Sequence, residues 1–178
     1  VSTKNAAVIM ELLSKGFYQN PIDSIVREIM SNAWDSHVEA GCQDQAIVVR
    51  FTSDENTDFI EFIDFSVGLS PKRMEEIFTV YFESSKRDDD EQLGAFGLGS
   101  KSPYAYTDSF YVTTRYEGTE YQYLMSKNEV GISRLTEIIN YPTDEGNGTT
   151  VRIPLKNTRS RYSYSYHGDA DKFYKACR

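Results

Sequence analysis

At 178 residues, 39% hydrophobic and 13% aromatic, the chain is long enough to bury one sizeable core and short enough to be read as one domain spanning 1–178. It has no apolar run of transmembrane length, and its start at Val1-Ser2-Thr3-Lys4 lacks the basic and apolar regions of a secretory signal, so a cytosolic (cytoplasmic) protein is expected. A net charge of −8 argues against a phosphate-backbone surface, which needs clustered Lys and Arg, and no direct nucleic-acid binding is expected.

The two cysteines, Cys42 and Cys177, show neither metal spacing nor a pairing pattern and read as free thiols. The absence of an initiator Met and an end at Lys175-Ala176-Cys177-Arg178, inside a helical pattern, are what a piece of a longer protein would show.

In chain order, Lys4 to Ser14 carries Val8, Ile9, Leu12 and Leu13 at helical spacing and stops at Lys15-Gly16, which predicts a short amphipathic helix. Asn20-Pro21 reads as an N-cap followed by proline at the first helical position. The apolar series Ile22, Ile25, Val26, Ile29, Met30 and Ala33 then predicts a helix running to Gly41. Ala46–Phe51 and Phe59–Asp64, joined by the polar turn Ser53-Asp54-Glu55-Asn56, read as an antiparallel strand pair.

Pro71 opens a further helix through Met74, Ile77 and Phe78. The charged run Ser84 to Gln92 is too polar for core and reads as a lid, with lid and glycine loop together taking up about 84–102. Strands are predicted at Phe110–Arg115, Glu120–Met125 and Ile132–Ile138, the first two turning at Glu117-Gly118, and a last one at Thr149–Leu155. The Tyr- and Ser-rich tail Arg159 to His167 reads as an edge strand or an inter-domain connection, and its interleaved Arg and Tyr leave base stacking open as an alternative. Asp169 to Cys177 looks like the first turns of a helix, so that 157–178 leads towards a downstream domain.

Four stretches carry chemistry: EIMSNAWD (Glu28–Asp35), DFSVG (Asp64–Gly68), GAFGLG (Gly94–Gly99) and NGTT (Asn147–Thr150). Glu28, Asn32 and Asp35 are spaced four and three apart and project from one flank of their helix, a pattern that solvated surface also produces. If that flank lines a pocket, Glu28 is placed to deprotonate an attacking water, and the Asn32 amide oxygen suits Mg²⁺, which prefers hard oxygen ligands.

Asp64 ends a strand, where aspartate often serves only its own turn. In a pocket its carboxylate accepts from an exocyclic amine and selects adenine over guanine, while Gly68 lets backbone approach the ring. The loop Gly94, Phe96, Gly97, Leu98 and Gly99, followed by Ser100-Lys101-Ser102-Pro103, offers backbone amides to phosphate at a helix start, with Lys101 adding a charge. It matches neither a Walker loop nor a dinucleotide fingerprint. Thr149 either extends its hydroxyl into the base site or stands at a strand start for reasons of propensity.

These stretches resemble the N, G1, G2 and Gly-Thr boxes of the GHKL, or Bergerat-fold, ATPases, a family including gyrase, the ninety-kilodalton heat-shock chaperones, mismatch-repair proteins and histidine-kinase catalytic domains. Tyr81-Phe82-Glu83-Ser84-Ser85-Lys86 and GAFGLGSKSPYAYTDSF (Gly94 to Phe110) further resemble the amino-terminal domain of the rIIA lysis-inhibitor proteins of T-even-like phages.

The resemblance implies an α+β fold: a two-layer sandwich with a mixed, mainly antiparallel sheet covered on one face by helices. It implies ATP and Mg²⁺ as ligands, Glu28 as general base, Asn32 as Mg²⁺ ligand, and Asp64 on the adenine amine, helped by Thr149 and water. Gly94, Gly97 and Gly99 would hold phosphates beneath the lid; Asp35 matches a position that varies. ATP-driven homodimerisation of the full-length protein, an unknown protein partner, and peripheral association with the inner face of a bacterial membrane in a phage-infected cell follow from the same resemblance.

One departure concerns Ser66, which stands where the usual DxGxG motif has its first glycine and needs either negative φ or modest strain. A basic residue from a following domain reaches the γ-phosphate in several relatives, so this piece is expected to bind Mg-ATP weakly and hydrolyse it slowly. The alternatives are a catalytically degenerate nucleotide-binding scaffold that recognises a partner and a histidine-kinase-type domain. For the latter neither His37 nor His167 is suitably placed as a phosphoacceptor.

Overall fold

The computed structural model describes residues 20–54, 57–79, 99–128, 133–156 and 168–178. The expected first helix, the lid Ser84 to Gln92, the loop residues Gly94, Phe96, Gly97 and Leu98, and the tail Arg159 to His167 lie outside the described residues.

Helix α1 (Pro21–Ala40) starts on proline at its first turn and buries Ile22, Ile25, Val26, Ile29, Ala33 and His37, a stripe at helical spacing. The Asn20 side chain makes no capping bond; it turns to the Asp23 carboxylate instead. At the other end Gly41 takes φ 68°, its N–H donates to Val38 O, and Cys42 N–H donates to His37 O. This pair of bonds is the Schellman arrangement, for which glycine supplies the left-handed residue at low cost.

Six strands follow: β1 (Val48–Ser53), β2 (Asp58–Ile63), β3 (Ser109–Tyr116), β4 (Thr119–Lys127), β5 (Ser133–Pro142) and β6 (Gly148–Pro154). They form one sheet in the order β1-β2-β6-β3-β4-β5. The sandwich expected from the sequence is present, and every described pairing is antiparallel. β3 and β4 are joined by the two-residue turn Glu117-Gly118, with φ of 48° and 75°. Positive φ at both central residues is the turn whose twist matches that of the flanking strands.

β1 begins two residues later than the sequence suggested, at Val48, and runs to Ser53; β5 continues past Ile138 to Pro142. Both are edge strands exposed along much of their length, so burial does not mark where they stop.

Helix α2 (Pro71–Thr79), a 3₁₀ segment (Gly99–Ala105) and helix α3 (Asp169–Ala176) join α1 over the sheet. Ile25, Val26 and Ile29 of α1, Met74 and Phe78 of α2, and Phe173 of α3 meet Ile60, Phe62, Phe110, Val112, Met125 and Ile153 of the sheet in one core. Each such side chain contributes on the order of 1.5–3 kcal/mol. α3 is anchored by the fully buried Phe173, edge-on to Tyr106 at 5.4 Å, while Tyr106 Oη donates to Asp169 and accepts from Lys156 N–H.

On the opposite face Glu61 is buried between Arg50 and Arg152, and the Arg152 guanidinium lies 3.6 Å from the centre of the Phe59 ring. No described helix is long and apolar enough to cross a membrane.

Candidate functional site

Strand order decides which motifs meet. β6 enters the middle of the sheet, so its first residues, Gly148 and Thr149, lie between the end of β2 and the end of β3. Asp64, immediately after β2, donates its N–H to Thr149 O at 2.9 Å, and Thr149 N–H returns a bond to Asp64 Oδ1 at 3.1 Å. Two residues 85 positions apart in the chain are thereby locked together.

The same Oδ1 accepts from Ser66 N–H at 3.1 Å and from the Ser66 hydroxyl at 2.5 Å. Asp64, Ser66 and Thr149 are all buried. Thr149 contributes here through its backbone, a role that its position after Gly148 did not reveal. Among the described residues Glu117 alone of the non-glycines has positive φ, so Ser66 occupies the glycine position without backbone strain.

The glycines beside this cluster serve close packing. Gly68 has φ 70°, and a Cβ there would lie 2.0 Å from Arg115 O. A Cβ on Gly148 would lie 2.4 Å from Asp64 O. Gly68 was expected to make room for a ring; what its missing side chain admits here is the β3 backbone. Thr114, fully buried on β3, accepts from Leu69 N–H at 2.7 Å, and its hydroxyl faces the carbonyl oxygens of Leu69 and Gly148.

At the second cluster Gly99, where the described chain resumes, lies against α1. A Cβ on it would stand 2.8 Å from Glu28 Oε2 and 3.8 Å from Asn32 Nδ2. The end of the glycine loop and two of the helix-borne residues therefore converge. Glu28 keeps only 17% of its side chain exposed and pairs at 3.3 Å with the exposed Arg27, a weak surface contact. Asn32 and Asp35 are exposed.

α1 connects the two clusters, because Ser36, one turn beyond Asn32, places its Oγ 2.5 Å from Ser66 Oγ. Its C-terminal end also grips the intervening peptide: His37 Nε2 accepts from Phe65 N–H at 3.2 Å, and Cys42 Sγ lies 3.8 Å from Phe65 O. Accepting at Nε2 puts the imidazole proton on Nδ1, which is buried with no hydrogen-bond partner among the described residues. A fully buried imidazole engaged in this way does not serve a phosphoacceptor role.

Lys101 is also fully buried. Its ammonium donates to Ile77 O at 2.8 Å near the end of α2, where Ser100 Oγ also donates, and burial pushes its pKa down to about 8. The bond to Ile77 O ties the lysine that follows the glycine loop to α2.

Ser36, His37, Ser66 as a hydrogen-bonding partner, and Thr114 were missed as site residues in the sequence. Their bonds span 28 to 45 positions, and a lone Ser or Thr on a helix or strand carries no local signature of such a partner. Among the described residues no group of three His, Cys, Asp or Glu side chains is placed to hold a metal ion. The neutral Asn32 amide beside Glu28 instead suits Mg²⁺ that takes most of its ligands from phosphate and water.

No family model matches this chain. Over 181 aligned positions it is 26% identical to the chaperone protein HtpG of Psychrobacter cryohalolentis, a match covering 90% of this chain and 27% of HtpG. The chain thus spans about a quarter of the length of that curated relative. At this distance, the similarity together with the α+β sandwich supports a domain of GHKL type.

Proposed function

We propose that this chain is an ATP-binding domain of GHKL type that hydrolyses ATP slowly. The observation that carries the reading is the meeting of Gly99 with Glu28 and Asn32 on one helix, whose next turn is bonded to the Asp64 cluster. In this reading Asp64 takes the exocyclic amine of adenine and the glycine loop takes the phosphates.

Glu28 accepts the proton of a water whose oxygen bonds to the γ-phosphorus as the bond to the β–γ bridging oxygen breaks, giving ADP and phosphate. Magnesium on the Asn32 amide oxygen, phosphate and water would neutralise charge at the transferred group. The distant similarity to HtpG supports nucleotide binding by this part of the chain.

The test is calorimetric titration with Mg-ATP beside single-turnover hydrolysis of the wild type and of Glu28→Ala. The expected result is retained binding and a loss of at least about a hundredfold in rate, within the range for a general base. Equal turnover in both proteins removes Glu28 from the mechanism. Binding without hydrolysis in the wild type establishes the degenerate scaffold instead.

Dimerisation driven by ATP is a further part of the proposal, and light scattering with a non-hydrolysable ATP analogue checks it; a monomer at saturating analogue counts against it. Kinship with the rIIA amino-terminal domain, with the membrane association it implies, is proposed on the stretches Tyr81 to Lys86 and Gly94 to Phe110. Exchanging this chain for the corresponding domain of an rIIA protein should preserve lysis inhibition. Loss of inhibition in a stably expressed chimera would refute that kinship.

A further inference from the structure

Ser66 stands where the resembled motif has glycine, and its hydroxyl is engaged on two sides. It donates to Asp64 Oδ1 at 2.5 Å and lies 2.5 Å from Ser36 Oγ. A serine hydroxyl has one proton. With that proton on the carboxylate, Ser36 must donate to Ser66, and the order Ser36 to Ser66 to Asp64 follows from proton counting alone.

Oδ1 also accepts the N–H groups of Ser66 and Thr149, each at 3.1 Å. Three donors share Oδ1, and the Ser66 hydroxyl is the closest of them. Oδ2 receives no donor from the described residues, although Asp64 is only 8% exposed.

We propose that Ser36 and Ser66 are specificity-determining residues for the base, an inference that rests on the nucleotide reading above. By filling Oδ1 they leave Asp64 a single acceptor, Oδ2. The site therefore takes a base edge offering one exocyclic amine, as adenine does, and refuses an edge with two adjacent donors.

Guanine presents N1–H and its 2-amino group side by side, and pairing both with a carboxylate needs both oxygens in a fork. That fork is closed while the Ser66 hydroxyl holds Oδ1. Neither serine is left to donate to the guanine carbonyl, because both hydroxyl protons are already committed.

The experiment measures the dissociation constants of Mg-ATP and Mg-GTP for the 178-residue chain and for Ser66→Ala, Ser66→Thr, Ser36→Ala and Asp64→Asn, with thermal melts to confirm folding. In Ser66→Ala the place on Oδ1 opens to a ligand donor, and the preference for ATP over GTP falls about tenfold. Ser66→Thr keeps the hydroxyl and the preference. Ser36→Ala, which leaves the bond from Ser66 to Asp64 intact, lowers the preference by about threefold or less.

A preference unchanged within about twofold in folded Ser66→Ala, with Asp64→Asn having lost ATP, overturns this inference and leaves the nucleotide reading standing. Wild-type ATP affinity in Asp64→Asn, or no ATP binding by the unmodified chain, overturns both.

Discussion

The two clusters on α1 are built on opposite plans. Around Asp64 the carboxylate, the Ser66 hydroxyl, two backbone amides and Thr149 are buried and bonded to one another, and glycines at 68 and 148 let three backbones touch. Around Glu28 the side chains are partly buried or exposed, Glu28 pairs with a surface arginine, and the contact is a glycine pressed against a carboxylate. The Asp64 end is finished by the protein itself, whereas the Glu28 end, hydrolytic in the proposed reading, is left for a ligand to complete. Preorganisation of the first restricts what can bind; openness of the second leaves room for phosphate, metal and water.

Mutations that separate structure from chemistry test this contrast, and the largest effect is expected at Gly68. Gly68→Ala puts a Cβ into the Arg115 carbonyl at a left-handed φ of 70°, so a loss of at least about 3 kcal/mol in urea denaturation is expected. Gly41→Ala, at φ 68° with nothing within 4 Å, is the control and costs about 1 kcal/mol. Similar losses at both sites would mean that the backbones at the Asp64 end have room to move apart.

Next comes Asp64→Ala, which strands the buried N–H groups of Ser66 and Thr149 and the Ser66 hydroxyl, at about 2–3 kcal/mol of stability by chemical denaturation. Glu28→Ala measured alongside should change stability by no more than about 0.5 kcal/mol, since its described partner is exposed. Equal losses would erase the distinction between the two ends.

Lys101 gives a pH-dependent test. Its folded pKa of about 8 lies below the ordinary 10.5, so between these values the unfolded chain binds more protons and stability rises with pH. The cost of burying the ammonium is present in full below pH 8 and is relieved as pH climbs. Relative to Lys101→Met, the wild type should therefore gain stability from pH 8 to pH 10, on the order of 2 kcal/mol at 1.36 kcal/mol per unit. The Tyr106 and Tyr123 hydroxyls, which burial pushes up, contribute alike to both proteins and cancel in the difference. A flat difference would show that the ammonium keeps its proton through other contacts.

A small structural effect is also expected of Gly99→Ala, where the new methyl meets the movable end of Glu28. Stability should fall by less than about 1 kcal/mol, while single-turnover hydrolysis falls by about tenfold or more because the base is displaced. Unchanged hydrolysis would separate Gly99 from the chemistry.

Local chemistry made much of the fold legible. Proline at the start of α1, glycine at its end and the turn Glu117-Gly118 each dictate a backbone conformation through φ alone, and each sits where the sequence put it. The amphipathic stripe of α1 is likewise a local property, since its spacing follows from helix geometry. The limits of β1 and β5 were not legible: exposed edge strands lack a buried face that would mark where pairing ends. Lys101 shows a related limit, because nothing local to a lysine after a glycine loop announces the bond its ammonium makes with Ile77.

By itself, then, the sequence determined most of the described elements, the residue types of the four motifs and the helix that bears Glu28 and Asn32, all of which follow from spacing within a few turns. Tertiary structure alone decided that β6 enters between β2 and β3, bringing Thr149 to Asp64, and that Ser36 reaches Ser66. These contacts join residues 30 to 85 positions apart, and no local preference of the chain specifies them. They are fixed by which strand order and helix docking bury the shared core.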